Sequence, residues 1–353
     1  MEQVKYRPQL DGVRAFCIIF TIANHVEGLP TFINGSVGVD VFFALSGWLI
    51  THFLIVEQRN SGTISLSNFY IRRIFRIMPL YYITLGLYIV STLATRDPVK
   101  LAEMVPALPY IATFSSEYRP STTGNFFGQA WTLGIEEKFY LIWPAIMLML
   151  GARPIRAAIA AIVCITLLLM LSSDVGQMEF LMRGYIGLGL GTAMAVLVER
   201  RPALGAWLER RPVGAIALAL MVLPYLGSVL VARWTIWNIA MAALATPMIA
   251  SIWLAPHQWL AKFFATCVLA WLGRLTYAIY LIHNLAKHAV VMALGKWHLP
   301  ITGWPLFIAT YAAAIGLAWG LHLTIERPMI LFGRKLAKRA QERLPMGALP
   351  AAE

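Results

Sequence analysis

The sequence predicts an all-α membrane protein, a polytopic transmembrane helical bundle of about ten spans with both termini in the cytoplasm. Three observations predict this fold class. Of the 353 residues, 59% are hydrophobic and only 13% are charged, whereas soluble domains carry about 25% charged residues. The apolar residues form runs of about 20, the length that crosses a bilayer as a helix. Positive charges are concentrated in alternate connections, which places those connections on the cytoplasmic side.

The apolar runs divide the chain into ten expected spans. They lie at 10–28, 37–56, 77–95, 131–150, 155–172, 180–198, 213–231, 234–254, 267–291 and 303–325. Residues 96–130 predict a mixed outer segment with a short re-entrant or surface helix. We expect a transmembrane domain over residues 1–333 and a basic, disordered cytoplasmic tail over residues 334–353.

The charge and the motif content exclude several classes of protein. The net charge of +12 suits loops held against an anionic leaflet, so we expect membrane lipids and no nucleic acid as partners. The sequence contains no Walker loop, no dinucleotide glycine motif and no zinc-ligand spacing. We therefore expect no metal and no permanently bound cofactor.

The first span contains two polar residues, Arg14 and His25, within LDGVRAFCIIFTIANH. These two residues are eleven positions apart, which is close to three helical turns. Their side chains are therefore expected on one face of the helix, about 16 Å apart along its axis. Charged groups inside a bilayer indicate a functional site. Asp40 begins the second span on the same outer side, where a carboxylate orienting His25 would make it a proton acceptor. The alternative is an interfacial histidine and a helix N-cap.

Three arginines, Arg72, Arg73 and Arg76, lie in FYIRRIFRIMPLYY at the expected cytoplasmic mouth of the third span. Arg72 and Arg76 are one turn apart on one face, and guanidinium groups suit phosphate. With the Tyr81–Tyr82 pair that follows, Arg72 and Arg76 predict ligand binding. Arg73 alone is more typical of a topology anchor.

The segment WTLGIEEKFYLIWP places Glu136 and Glu137 in an apolar, aromatic run between Trp131 and Tyr140. One glutamate is expected to reach Lys138 or water, and the other needs an internal partner, for which an arginine is the natural choice. A structural salt bridge and a substrate ligand both remain open.

Further polar groups occur late in the chain, Arg274 and His283 in LGRLTYAIYLIHN and Glu326 in LTIERP. If these three side chains pack against the polar residues of the earlier segments, they would help to shape the site. Ser46 in ALSGWLI lacks the glycine two positions earlier that a nucleophile elbow requires. It predicts a small-residue contact between helices.

Together and in this order, these segments resemble the acyltransferase 3 family of integral-membrane acyltransferases. The matching segments, within roughly residues 5–330, are LDGVRAFCIIFTIANH, GVDVFFALSGWLIT, FYIRRIFRIMPLYY, WTLGIEEKFYLIWP, LGRLTYAIYLIH and ERP. The family's arginine–histidine motif falls on Arg14 and His25. Its paired-arginine motif falls on Arg73 and Arg76 or on Arg72 and Arg76.

The resemblance implies a multi-pass enzyme of the bacterial plasma (inner) membrane that transfers an acyl group to a hydroxyl of a cell-surface or lipid-linked glycan. The donor would be cytoplasmic acyl-CoA, most often acetyl-CoA, bound as a substrate. The expected roles are catalysis by His25, Asp40 and Arg14, donor binding by Arg72, Arg73, Arg76 and Tyr82, and acceptor contact or site shaping by Trp131, Glu136, Tyr140, His283 and Glu326. The alternatives are a transporter or flippase of a lipid-linked glycan and an acyltransferase acting on a small molecule such as a macrolide.

Overall fold

The computed structural model describes residues 6–30, 32–150, 175–230, 234–295 and 301–342. Over these ranges the chain is helical and contains no β-strand. The helices are α1 (Pro8–Ala23), α2 (Val37–Ser61), α3 (Leu66–Thr95), α4 (Pro98–Ala112), α5 (Ala130–Leu150), α6 (Val175–Arg200), α7 (Pro202–Arg210), α8 (Val213–Leu220), α9 (Val222–Leu230), α10 (Trp234–Leu254), α11 (Trp259–Phe264), α12 (Cys267–Gly295), α13 (Gly303–Leu321) and α14 (Arg327–Glu342). Short 3₁₀ turns at Ser116–Tyr118 and Ser121–Thr123 separate α4 from α5, and a π-helical turn at His322–Glu326 joins α13 to α14.

Seven helical segments in the described ranges are long and apolar enough to cross a membrane. They are Val37–Ser61, Leu66–Thr95, Met178–Arg200, Val213–Leu230, Ile236–Leu254, Cys267–Gly295 and Gly303–Gln341. Three expected spans are not among them. Helix α1 has only 16 residues, α5 carries Glu136, Glu137 and Lys138 near its middle, and 155–172 lies outside the described residues. The all-α, multi-pass architecture is confirmed, whereas the count of about ten spans and the side of the termini stay predictions.

The mixed segment after α3 contains the short helix that the sequence predicts there. Helix α4 has 15 residues, and its N-cap is Asp97, whose side chain accepts hydrogen bonds from the backbone amides of Val99 and Lys100. Proline at the first helical position supports the same start, because it has no amide hydrogen to satisfy.

Helices α2 and α6 cross with their backbones in contact. Gly47 of α2 lies against the carbonyl of Leu188, and Gly191 of α6 lies against the carbonyl of Ala44. A side chain at either glycine would collide with backbone, so the crossing requires both. The small-residue contact expected at Ser46 is therefore made by its neighbour Gly47.

Helix α1 lies in the interior, although it is short. Gly12 of α1 lies against the carbonyl of Phe264, and Gly273 of α12 lies against the carbonyl of Asp11. These close contacts fix α1 against α11 and α12. They thereby fix Arg14 and the turn that follows the helix.

The last helix, α14, packs along α3. The rings of Phe332 and Phe75 are 5.1 Å apart between centroids. Because α14 ends at Glu342, residues 334–342 of the expected disordered tail are helical. Residues 343–353 lie outside the described residues, and the division into a domain and a tail stays a prediction.

Candidate active site

Three cavities lie one after another beside α2. The histidine cavity has a volume of about 820 Å³ and is lined by His25 and Val39 among others. The narrow cavity has a volume of about 120 Å³ and is lined by Val39, Ser46 and Arg76. The arginine cavity has a volume of about 640 Å³ and is lined by Arg76 and Glu57. The α2 residues that line them follow the order of the chain, so the cavities run from the beginning of α2 to its end.

Shared lining residues link these cavities in series. Val39 and Tyr280 line both the histidine and the narrow cavity, and Arg73 and Arg76 line both the narrow and the arginine cavity. The 18 positions from Val39 to Glu57 correspond to about 27 Å of helix. That length is close to the hydrocarbon thickness of a bilayer, about 30 Å. Adjacent cavities that contain charged side chains therefore extend along α2 over nearly the thickness of a membrane.

His25 lies in the turn beyond α1, because the helix ends at Ala23. It lines the histidine cavity, whereas Arg14 lines the narrow cavity and bonds to Asp11 at 3.1 Å. The two residues that the sequence placed on one helical face thus face two successive cavities. The helix carries Arg14, and the turn sets the direction of His25.

The turn that carries His25 is held by α12. Lys287 donates hydrogen bonds to the backbone oxygen of His25 at 2.8 Å and to Oε1 of Glu27 at 2.9 Å. The ring of His283, one turn before Lys287, lies 4.8 Å from the ring of His25 between centroids. The expected association of His283 with the site is consistent with this contact.

A hydrogen bond to the backbone holds the side chain of His283. The side chain is fully buried, and its Nδ1 lies 2.7 Å from the backbone oxygen of Tyr280. Because a carbonyl oxygen only accepts, Nδ1 carries a hydrogen and donates it to Tyr280. Nε2 has no hydrogen-bond partner among the described residues. A buried imidazole, held by its Nδ1–H bond to Tyr280, therefore lies beside His25.

Asp40 does not pair with His25, which corrects the sequence-based expectation. Its carboxylate accepts hydrogen bonds from Nε and Nη2 of Arg183 on α6. Arg183 also donates to the backbone oxygen of Ser36. Both side chains are buried, and a buried carboxylate is stabilised best by a charged, hydrogen-bonded partner. Asp40 thus joins α2 to α6, and Arg183 lines the histidine cavity.

We expect Asp40→Asn to lower the melting temperature of the protein in detergent strongly. The change leaves the Arg183 cation buried without its anion, and breaking such a pair costs about 3–5 kcal/mol. Differential scanning fluorimetry measures the effect. Glu27→Gln is the matched control, because the Glu27 side chain is 72% exposed and a surface pair contributes about 0–1 kcal/mol. Equal melting temperatures for the two variants would contradict the buried pair.

Glu136 and Tyr140 lie in the narrow cavity and not on the wide histidine side. Glu136 accepts hydrogen bonds from Ser46 Oγ at 2.8 Å and from Tyr140 Oη at 3.1 Å. The arginines lining this cavity are Arg14, Arg73, Arg76 and Arg274. Among the described contacts Glu136 forms no salt bridge, so its carboxyl group lies in an arginine-lined cavity with two hydroxyl partners.

Lys138 pairs with Glu117 and not with the neighbouring glutamates. Its Nζ donates to Glu117 Oε1 at 2.5 Å and to the backbone oxygen of Phe114 at 2.6 Å. Burial raises the pKa of Glu117, and the Lys138 ammonium opposes that rise. Glu117 lines the histidine cavity. Sequence reasoning missed it, since nothing local distinguishes it from a loop glutamate.

Trp131 gives the histidine cavity an aromatic wall. Its ring packs between Phe180, at 4.8 Å, and Phe43, at 5.8 Å, between centroids. Gln129 of the same cavity donates to the Tyr88 hydroxyl at 2.7 Å. An aromatic face in a wide cavity is suited to bind one face of a polyhydroxylated ring.

Arg73, and not Arg72, accompanies Arg76. The guanidinium carbon of Arg73 lies 4.2 Å from the Tyr140 ring centroid, which directs Arg73 between the narrow and the arginine cavities. Arg72 lines only the arginine cavity among the three, and its Nη2 lies 3.8 Å from Glu57 Oε2. Positions three and four apart are both neighbours on a helix, so tertiary packing decides between them.

Tyr82 and Glu326 line none of the three cavities. Tyr82 donates to the backbone oxygen of Ala112 at 2.9 Å, which joins α3 to α4. Glu326 is buried, and its Oε2 lies 2.8 Å from Nδ1 of His322. Tyr82 thus joins α3 to α4, and Glu326 pairs within the π-helical turn, so neither side chain faces the cavity series, and their expected roles in the site stay predictions.

The fold and the cavities define a multi-pass helical bundle whose interior holds a series of adjacent cavities lined in part by charged residues. A family model described as an acyltransferase domain, that of the acyltransferase 3 family, matches residues 7–323. The chain belongs to the acyltransferase 3 family.

Curated relatives share parts of this sequence. The peptidoglycan O-acetyltransferase OatA of Listeria monocytogenes is 31% identical over 153 residues, 41% of this chain and 24% of that protein. A putative O-acetyltransferase of Staphylococcus aureus is 26% identical over 314 residues, 80% of this chain and 51% of that protein. The putative peptidoglycan O-acetyltransferase YrhL of Bacillus subtilis is 31% identical over 175 residues, 46% of this chain and 27% of that protein. The matches thus span about half of these relatives' length or less. No solved structure matches the chain.

Proposed function

We propose that this protein is a membrane O-acetyltransferase that moves an acetyl group from cytoplasmic acetyl-CoA to a hydroxyl of a glycan on the outer side. The observation that carries the proposal is the cavity series, with arginines at one end and His25 at the other. Relatives named peptidoglycan O-acetyltransferases support O-acetyl transfer and a cell-surface or lipid-linked glycan as the acceptor.

The arginine cavity is the proposed site of the donor's nucleotide. Arg73 and Arg76 border both this cavity and the narrow one, where guanidinium groups suit the phosphates next to the pantetheine arm. The arm would extend through the narrow cavity, whose wall mixes polar Ser46 and Thr132 with apolar Ile77. Such a wall suits alternating amide and methylene groups.

The thioester would then reach the junction of the narrow and histidine cavities near Val39 and Tyr280. His25 acts as the general base. As the acceptor oxygen attacks the thioester carbonyl carbon, the His25 ring takes the hydroxyl proton. The carbon–sulfur bond breaks, and the imidazolium returns the proton to the leaving thiolate. Direct transfer of this kind requires no covalent acyl-enzyme.

The remaining predicted residues support these steps in different places. Arg14 contributes a cation to the narrow cavity along the donor's path. Trp131 and Tyr280 offer aromatic surface to the acceptor in the histidine cavity. Lys287 and His283 hold the His25 turn and ring in position. Catalysis is thereby assigned to His25, and Asp40 acts only through its pair with Arg183.

The orientation follows the distribution of charge. The arginine cavity lies at the end of α2 where Arg59 also lies, and basic connections face the cytoplasm. Both termini then lie in the cytoplasm and the histidine cavity faces outward. We place the protein in the bacterial plasma (inner) membrane on this basis.

A glycan flippase fits the same cavities less well. The narrow cavity, at about 120 Å³, is smaller than the roughly 300–1,000 Å³ of typical small-ligand pockets. A saccharide would have to pass through it whole, whereas an extended arm needs to place only part of its length there at once. Whether the acceptor is a glycan or a small molecule such as a macrolide is decided by comparing transfer to each of them.

The test is thiol release from acetyl-CoA by the purified, reconstituted chain. We expect release that depends on an added glycan acceptor, such as peptidoglycan fragments, and the glycan should gain 42 Da, the mass of one acetyl group, by mass spectrometry. Absence of any acetyl-CoA binding would contradict the donor assignment and favour transport. Release that requires a macrolide and no glycan would reassign the acceptor.

A further inference from the structure

Helix α14 forms one wall of the arginine cavity. Ile330 and Arg334, one helical turn apart, both line it, and so does Gln341 near the end of the helix. Asn68 of α3 donates a hydrogen bond to Gln341 at 3.4 Å, and Phe332 packs on Phe75. The helix is therefore fixed against α3, with Arg334 at the cavity.

The arginine cavity carries an excess of positive charge. The charged residues in its described lining are Arg72, Arg73, Arg76, Arg334 and Glu57. The single carboxylate, Glu57, accepts from the Ser65 amide at 3.1 Å and lies 3.8 Å from Arg72. One arginine is thus matched by an anion of the wall, and the other three have no carboxylate partner within the described lining of this cavity.

These three arginines occupy two positions along the cavity series. Arg73 and Arg76 stand at the boundary with the narrow cavity, whereas Arg334 lines only the arginine cavity among the three. In CoA the diphosphate directly follows the pantetheine arm, and the ribose 3′-phosphate lies beyond it. The boundary arginines therefore correspond to the diphosphate.

Resting on the proposed function, we propose that Arg334 binds the 3′-phosphate of the donor's CoA, so that the protein distinguishes CoA from 3′-dephospho-CoA. A phosphate monoester carries about −1.5 to −2 charges at neutral pH, and a guanidinium offers it a fork of donors. Arg72 lines the same cavity, but its guanidinium is paired with Glu57. Helix α14 then contributes a residue that binds the donor.

The test compares the affinity of CoA and of 3′-dephospho-CoA for the full-length protein in phosphatidylcholine nanodiscs, by titration calorimetry. Wild type is expected to bind CoA about tenfold or more tightly than 3′-dephospho-CoA, the size expected for a charge-assisted contact. Arg334→Gln is expected to lose that preference, with its affinity for 3′-dephospho-CoA unchanged. Arg339→Gln is the matched control, because it removes the same charge from another face of α14 and should keep the preference.

Three results would overturn the inference. They are a wild type that binds both ligands equally, an Arg334→Gln variant that retains the preference, and one that loses affinity for both ligands equally. A wild type that binds neither ligand would contradict the proposed donor itself, which is a separate failure. An effect of Arg334→Gln that appears only when anionic phosphatidylglycerol is added to the discs would assign Arg334 to a lipid phosphate.

Discussion

Replacing His25 with alanine is expected to slow acetyl transfer by about 10²–10⁴, the typical contribution of a general base, while acetyl-CoA still binds. The separation of the cavities is the reason. His25 lines the histidine cavity, and the donor's phosphates are assigned to arginines at the far end of the series. Steady-state transfer rates and calorimetric affinity for acetyl-CoA measure the two properties separately.

His257→Ala is the control for this change, because His257 is exposed and lines none of the three cavities. It should transfer acetyl at the wild-type rate. A folded His25→Ala protein that turns over normally would refute the base assignment. Equal loss of rate and of donor affinity would instead place His25 in donor binding.

Replacing Arg76 with lysine is expected to weaken acetyl-CoA binding roughly tenfold, the cost of losing one of the two hydrogen bonds of the guanidinium fork. Lysine keeps the positive charge but loses the planar fork that matches phosphate. Arg76 borders both the narrow and the arginine cavity, where the donor's diphosphate is assigned. Affinity is measured by calorimetry, and a reporter fusion checks that membrane orientation is unchanged.

Arg72→Lys is the matched control on the same helix. Arg72 lies beside Glu57 and half of its side chain is exposed, so lysine should be tolerated there. The positive-inside rule counts arginine and lysine alike, so a topology anchor would tolerate lysine at both positions. Unchanged affinity in both variants would reduce the cluster to such an anchor.

The fold class and the family were predictable from the sequence because their signals are local. The length of apolar runs sets the spans, and seven of the ten expected spans are long apolar helices in the structure. The ordered motifs pointed to the family that the comparison identifies. Helix α1 is a partial exception, since it ends before His25 and the histidine lies in a turn.

The ion pairs of the site were not predictable, because their partners are far apart in the chain. Asp40 bonds Arg183, 143 positions away, and Lys138 bonds Glu117 across a loop. Proximity along the chain favoured His25 as the partner of Asp40 and a neighbouring glutamate as the partner of Lys138. Only the packing of α2 on α6, and of α5 on the 3₁₀ turn before it, brings the observed partners together.

The sequence also could not decide whether Arg72 or Arg73 lies at the site with Arg76. Helical geometry places both beside Arg76, and the position of the Tyr140 ring under Arg73 decides between them. That ring belongs to α5, so no pattern within α3 contains the answer. The contact of His283 with His25 is of the same kind, since α12 brings it there.

Transfer across a sealed membrane tests the central claim most directly. The protein is reconstituted into vesicles with the glycan acceptor inside, and labelled acetyl-CoA is added outside to the population whose C-terminal tag is accessible. We expect labelled acetyl on the enclosed glycan while free CoA accumulates outside, and no label with His25→Ala. Acetylation only when donor and acceptor share one side of the membrane would contradict a path through the bundle.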